Sequence, residues 1–274
     1  MSNELISGSI SGAAGVLIGQ PFDFIKVQLQ TQNGLPITQN RKRGFLSYFR
    51  GMSMPLLFAC PTNALLFMGY SQSYSYLTRK YNSSSSSIYN PYSVVFLSGC
   101  YAGLLQAPLA SVSELIKCQL QTKSYRNVQD CISSLYLQSG RKYRIFTRGM
   151  GITLFRDTFN SGCYFGSYEY ILDRQDNLSK EISLSRQILA GSVAGMVAWF
   201  VIYPLDICKT IIQTQTIIST TSSLSFPSVF TNYYKKFGLR GFTFGLPSTL
   251  FRAIPVNATI FYTYEKINTY FTRI

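Results

Sequence analysis

Three times along the chain an acid precedes a lysine by three residues: Asp23 and Lys26, Glu114 and Lys117, Asp206 and Lys209. That spacing puts both members on one face of a helix. The flanking residues are apolar, and an ionisable group at the centre of a bilayer costs about 2.5–3.5 kcal/mol or more unless it is paired or lines a polar cavity. The chemistry open to such a set is ion pairing between copies. Asp23 is expected to meet Lys117, Glu114 to meet Lys209, and Asp206 to meet Lys26, around a pseudo-threefold axis. A glutamine follows each lysine by four residues (Gln30, Gln121, Gln213), placed to brace a pair by hydrogen bonding. Pro21 and Pro204, just before two of the acids, are expected to kink their helices inward. One such pair would read as glue. A ring of three, with repeated braces, suits a gate whose opening cost is offset by a bound solute.

A second set of ions breaks the threefold pattern. Arg156 and Arg252 each lie twelve residues before a tyrosine that marks their copy, Tyr168 and Tyr264, and Phe58 stands at the matching place in the first copy. At 1.5 Å per residue this is roughly 18 Å from the helix end, inside a bilayer. Neither arginine has a carboxylate one helical turn away, and Asp157 directly follows Arg156. Glue should respect the symmetry; a site for an asymmetric molecule should not. Guanidinium forks suit a carboxylate. Asp157 suits an ammonium or trimethylammonium, and Phe58 and Phe159 offer cation–π faces. A zwitterion is therefore the expected ligand, with Thr62 and Asn63 completing the candidate site.

The rest of the composition excludes other classes. In 274 residues the hydrophobic share is 46% and the charged share 13%, about half the roughly 25% of soluble domains. Lys+Arg number 25 against 11 Asp+Glu, a net charge of +14, which in so apolar a chain points to an anionic membrane rather than nucleic acid. There is no His, so His-based catalysis and His metal ligation are excluded. With no Gly-rich phosphate loop either, no enzyme, cofactor or metal is expected. The six cysteines show no CxxC pair and read as small apolar fillers. The N-terminus, MSNELISGSISG, has no Arg-rich amphipathic presequence, so any organellar address is expected inside the mature chain.

Stepping along the chain reveals what must position these ions. QPFDFIKVQLQTQ returns as SVSELIKCQLQTK and YPLDICKTIIQTQ; FRGMSMPLLFACPTNALLF returns as TRGMGITLFRDTFNSGCYF and TFGLPSTLFRAIPVNATIF. The three lysines are 91 and 92 residues apart, and Gly51, Gly149 and Gly245 are 98 and 96 apart. Three tandem repeats follow, at 1–88, 89–181 and 182–274. Each holds two apolar segments: 4–32, 92–122 and 184–215 first, then 50–80, 148–173 and 244–271. All exceed the ~20 residues a bilayer requires. A mean hydropathy of only +0.11 requires each to carry a polar face. Small pairs at GxxxG spacing, Gly8/Gly12, Gly15/Gly19, Gly99/Gly103 and Gly191/Gly195, favour close helix approach. The fold expected is all-α and membrane-embedded: six transmembrane helices in three helical hairpins. Basic residues crowd the loops within repeats, among them Arg41, Lys42, Arg43, Arg141, Lys142 and Lys235. Both termini should lie on the opposite side.

The motif Px[DE]xx[KR], here PFDFIK and PLDICK, with Phe49-Arg50-Gly51 downstream, resembles the mitochondrial carrier family over essentially the whole length. The resemblance implies a threefold barrel, a central cavity, and solute exchange across the mitochondrial inner membrane by alternating access, with the termini on the intermembrane-space side. It also implies cardiolipin at Arg50/Gly51 and Arg148/Gly149, where helix N-termini can hold phosphate. RDTFNSGCYFGSYE resembles the carnitine/acylcarnitine carrier, and TLFRAIPVNATIFYTYE resembles ornithine and basic amino-acid carriers. Thr62 replaces an acid of the ornithine type, and Gln20 replaces a His of the carnitine type. A carnitine-like or neutral zwitterionic solute is the expectation.

Several residues depart from the family pattern. Val112 replaces the second copy's gate proline, with Pro108 one turn earlier. Tyr70-Ser71 with Tyr74, Tyr168-Glu169 with Leu172, and Tyr264-Glu265 with Asn268 lack the lysine that an ionic ring at the second end would need. Lys26 and Arg50 are only 24 residues apart, so the first copy's surface helix should be short or missing. Thr243-Phe244 weakens the third lipid motif. These losses leave an alternative, a non-transporting structural or accessory subunit of a larger inner-membrane complex.

Overall fold

The computed structural model describes residues 2–31, 48–49, 51–83, 91–122, 125, 127–138, 146–176, 184–214 and 226–272. These form α1 (Ser2–Thr31), α2 (Ser53–Ser83), α3 (Pro91–Thr122), α4 (Val128–Gln138), α5 (Met150–Asp176), α6 (Leu184–Thr214), α7 (Phe226–Gly241) and α8 (Leu246–Thr272). Six of them run 27 to 32 residues, roughly 40 Å or more, enough to cross a bilayer. Among the described residues, α3 and residues 189–214 of α6 are the two stretches apolar enough to cross by composition alone. The others reach that length by pairing an apolar face with a polar one.

The distribution of side chains is the reverse of a soluble protein's. Leu57, Phe200, Phe251 and Ile254 are each at least 65% exposed, whereas Gln30, Asp206 and Lys209 are at most 2% exposed. Large apolar groups on the outside and ions within require an apolar surrounding.

Glycines set how closely the helices approach. An added Cβ at Gly15 or Gly19 of α1 would meet Ile260 and Val256 of α8. One at Gly99 would lie 2.7 Å from the Ser161 carbonyl of α5, and one at Gly69 of α2 would lie 3.2 Å from Ala102 of α3. Gly191 and Gly195 of α6 lie more loosely under Tyr164 of α5. Gly12 faces open space; the first small pair, Gly8/Gly12, therefore does not bring helices together through Gly12.

Each even hairpin arm begins at a left-handed glycine: Gly51 at φ 80°, Gly149 at 77°, Gly245 at 82°. This conformation costs other residues about 1–2 kcal/mol. Each glycine lies on the first helix of the next copy in cyclic order. Gly51 lies on Lys117, Gly149 on Gln213, and Gly245 on Lys26. The threefold relation is thus built into the turns.

The two short helices cap the same end. Cys131 and Leu135 of α4 pack with Met54, Ile116, Leu120 and Tyr125. Val229 and Tyr233 of α7 pack with Ile152, Tyr203, Ile207 and Phe242. The first copy's surface helix, expected to be short or missing, lies outside the described residues. Pro21, Pro108 and Pro204 sit inside helices that continue past them. The six cysteines are unpaired.

Candidate functional site

Near the C-terminal ends of α1, α3 and α6 the three acid–lysine motifs converge. Lys117 Nζ lies 2.6 Å from Asp23 Oδ2, Lys26 Nζ lies 2.7 Å from Asp206 Oδ2, and Lys209 pairs with Glu114. Each acid meets the next copy's lysine, the cyclic pairing that the spacing leads one to expect. The i,i+3 spacing makes this possible: it turns both ions of one helix inward, one toward each neighbour.

The bracing is less symmetric. Gln30 Nε2 donates to Asp206 Oδ2 at 3.1 Å and to Tyr203 Oη at 3.3 Å. Gln121 and Gln213 do not brace the other pairs, because their buried amides have no hydrogen-bond partner among the described residues. A different register supplies links there. Gln28 Nε2 donates to the Gln121 carbonyl at 2.8 Å, and Gln119 Nε2 to the Gln213 carbonyl at 2.5 Å. Those glutamines lie two residues before the ones expected, on the side that faces the neighbouring backbone.

Both arginines have carboxylate partners, although none lies one helical turn away: Asp157 is adjacent to Arg156, and the others come from other helices. Arg156 donates from Nε to Asp157 Oδ1 (2.7 Å), from Nη1 to Asp206 Oδ1 (2.8 Å) and from Nη2 to Glu114 Oε1 (2.9 Å). Arg252 Nη1 donates to Asp23 Oδ1. Every acid of the ring is therefore held by one lysine of the ring and one arginine from a second arm. Arg156 is saturated by three carboxylates and its side chain is 9% exposed, whereas that of Arg252 is 30% exposed.

A cavity of about 190 Å³ opens onto this cluster, lined by Asp23, Lys26, Glu114, Lys117, Arg156, Asp206, Lys209 and Arg252, with Cys118, Trp199, Thr210 and Gln213 among them. Five cations face three carboxylates, and a fourth carboxylate, Asp157, lies behind Arg156, so these groups carry one surplus positive charge.

Other expected site residues lie elsewhere. Phe58 packs against the apolar cluster under α4, since it sits on the side of α2 that faces α3 and α4. Thr62 Oγ1 donates to the Phe58 carbonyl in its own helix at 2.6 Å, and Asn63 is exposed. None of the three lines the cavity. Phe159 packs against Phe155 at 4.6 Å. At the cavity Lys26 Nζ lies 4.2 Å from the Trp199 ring and 5.7 Å from that of Tyr203. A signal for it existed: Trp199 is the sole tryptophan and stands two helical turns before Asp206 on the same face. Tyr203, also missed, donates to the Phe244 carbonyl at 2.8 Å. Of the lipid motifs, Gly51 and Gly149 hold the positive-φ turns before α2 and α5. Arg148 is part-buried, and Arg50 lies outside the described residues.

At the opposite end α2 and α5 are joined by rings. Tyr74 lies 5.8 Å from Tyr70, Tyr70 4.2 Å from Phe165, Phe165 5.5 Å from Tyr164, and Tyr164 6.3 Å from Tyr168.

A barrel of apolar-faced helical hairpins around a charged cavity, closed at one end by ions, defines a membrane carrier for small molecules. Comparison with known sequences agrees. The family described as "Mitochondrial carrier protein" matches three times, at residues 1–81, 89–176 and 180–274. The mitochondrial ornithine transporter 1 of Saccharomyces cerevisiae is 33% identical over 97% of this chain and 94% of its own. The mitochondrial basic amino acids transporter of Bos taurus is 32% identical over 98% and 92%. Solute carrier family 25 member 45 of Mus musculus is 30% identical over 96% and 97%. The chain belongs to the mitochondrial carrier family. It is a carrier of that family, and the similar proteins named for ornithine and basic amino acids are transporters.

Proposed function

We propose that the protein exchanges an α-amino acid of the ornithine and basic class across the mitochondrial inner membrane, with both termini in the intermembrane space. The observation that carries this reading is Arg252: a part-exposed guanidinium with one carboxylate partner among the described residues, on a cavity with a surplus positive charge. A solute α-carboxylate pairs with that guanidinium. The similar proteins named for ornithine and basic amino acids move the reading from carnitine toward amino acids. Asp23, Glu114 and Asp206, with Lys26, Lys117 and Lys209, form the gate. Its three interlocked pairs and its link to both arginines favour a transporter over a structural subunit, since a static scaffold has no need of a part-exposed arginine above its ion pairs. Cardiolipin phosphate is proposed to dock at the backbone amides after Gly51 and Gly149.

The test is exchange of radiolabelled ornithine, lysine, arginine, citrulline and carnitine by the purified protein in cardiolipin-containing proteoliposomes. Ornithine or another basic amino acid should exchange fastest. Exclusive uptake of carnitine would overturn the solute class. Failure to move any of them, together with stable co-purification in a large complex, would restore the subunit reading.

A further inference from the structure

The residue three places before each motif acid differs from copy to copy: Gln20 in α1, Ser111 in α3 and Tyr203 in α6. Tyr203 is 1% exposed, and its hydroxyl joins three helices. It accepts from Gln30 Nε2 of α1 at 3.3 Å and donates to the Phe244 carbonyl, at the entry to α8, at 2.8 Å. The same Gln30 amide donates to Asp206 Oδ2 at 3.1 Å, and that oxygen also holds Lys26 Nζ at 2.7 Å. Gly245 leaves the room for this: a Cβ there would lie 2.9 Å from the Tyr203 hydroxyl and 3.3 Å from the Lys26 carbonyl. The other two pairs of the ring have no such chain. The buried amides of Gln121 and Gln213 and the hydroxyl of Ser111 have no hydrogen-bond partner among the described residues.

We propose that Tyr203 is a positioning residue for the ionic ring: its hydroxyl fixes the Gln30 amide on Asp206 and makes the entry turn of α8 one unit with the α1–α6 pair. The direction of the chain supports this. A hydroxyl that donates to a carbonyl becomes a better acceptor for the Gln30 amide. Once buried, it has no water to take the place of either bond. Without that oxygen the Gln30 amide keeps one acceptor, Asp206, of its two. Tyr203 touches no solute and acts through Gln30. The three pairs of the ring are therefore unequal. Lys26–Asp206 is braced and anchored, whereas the other two rest on ions alone.

This inference rests on the reading of the ring as a gate, and its test separates the two. Trp199, the sole tryptophan, lies 4.2 Å from Lys26 Nζ, so its fluorescence reports where that lysine sits without any solute. In the purified protein Tyr203→Phe, which keeps the aromatic ring and removes the oxygen, should shift the Trp199 emission. Gln30→Leu breaks the same chain from α1 and should shift it equally, and the double variant should shift it no further. Tyr233→Phe is the control, because it removes a hydroxyl of the same apolar cluster that donates to the Gly241 carbonyl at 3.1 Å instead. Its emission should stay that of the wild type. Unshifted emission in Tyr203→Phe, additive shifts in the double variant, or an equal shift in Tyr233→Phe would each overturn the positioning role whatever the protein carries. If Tyr203→Phe does not fold, Gln30→Leu must still shift the emission, and no shift there overturns the chain. In proteoliposomes with ornithine as the probe, Tyr203→Phe should change the maximal exchange rate about fivefold and leave KM nearly unchanged. A change confined to KM would make Tyr203 a solute contact and overturn the role. Shifted emission with unchanged exchange would leave the hydrogen-bonded chain standing and overturn the gate.

Discussion

The two ends of the barrel are held by different forces. At the end capped by α4 and α7, three acids meet three lysines and two arginines in a ring whose side chains range from 2% to 32% exposed. Toward the end where the termini lie, five rings of α2 and α5 form a chain of contacts, three stacked and one edge-to-face. There Ser71, Tyr74 and Leu172 stand where the family often has ions. Buried ion pairs are directional and costly to orphan, and another ion can displace them. Ring stacks contribute about 0.5–1.5 kcal/mol per pair beyond burial and do not depend on charge. The first end is therefore held mainly by charge, and the second mainly by ring contacts, beside a Tyr92 hydroxyl that donates to Asp173.

The sharpest way to break this contrast is Asp206→Ala. It leaves Lys26 and Arg156 each short of a carboxylate, and loss of one member of a buried ionic cluster costs about 3–5 kcal/mol. Thermal unfolding of the detergent-solubilised protein should show it, and exchange should be abolished. A variant with unchanged melting would show that the ring carries no stability.

Next comes Arg156→Ala. Glu114 and Asp206 keep their lysines, but Asp157, 4% exposed, loses its partner. The cost should be about 2–3 kcal/mol. Because Arg156 is saturated, KM for the solute should change far less than in Arg252→Ala. Equal KM effects in the two variants would remove the division of labour between the arginines.

A smaller effect belongs to the gate turns. Gly149→Ala forces a left-handed φ and sets its Cβ 3.1 Å from Gln213 Cγ, costing about 1–2 kcal/mol in the same melting assay. Gly12→Ala, in helix and facing open space, should instead be neutral or stabilising by up to about 1 kcal/mol.

At the aromatic end, Tyr70→Leu removes stacks on both Tyr74 and Phe165. It should lower stability by about 1 kcal/mol, by the same amount at low and high salt. A loss that depends on salt would place a hidden ionic contribution at this end.

Much of the molecule was legible before any coordinates. Asp23, Glu114 and Asp206 recur at a fixed distance from Lys26, Lys117 and Lys209, and a repeated motif that turns two opposite charges to one face has few ways to satisfy them other than cyclic pairing. The repeat also marked Gly51, Gly149 and Gly245, all of which adopt the left-handed turn. The solute site was less legible. Arg156 and Arg252 stand out because they break the symmetry, yet spacing does not reveal their partners. Phe58 occupies the matching place in the first copy, but it packs under α4.

The sequence by itself therefore determined the hairpin count, the repeat and the inward ring, since periodicity and the cost of a charge in lipid act locally and repeat with the chain. Only the tertiary structure decided which arginine is spent and which is available. That depends on the axial register of α8 against α1 and of α5 between α3 and α6. Register is set by how glycines and branched side chains interlock over several turns, and a slip of one turn would have moved Arg252 off Asp23 without changing a single motif.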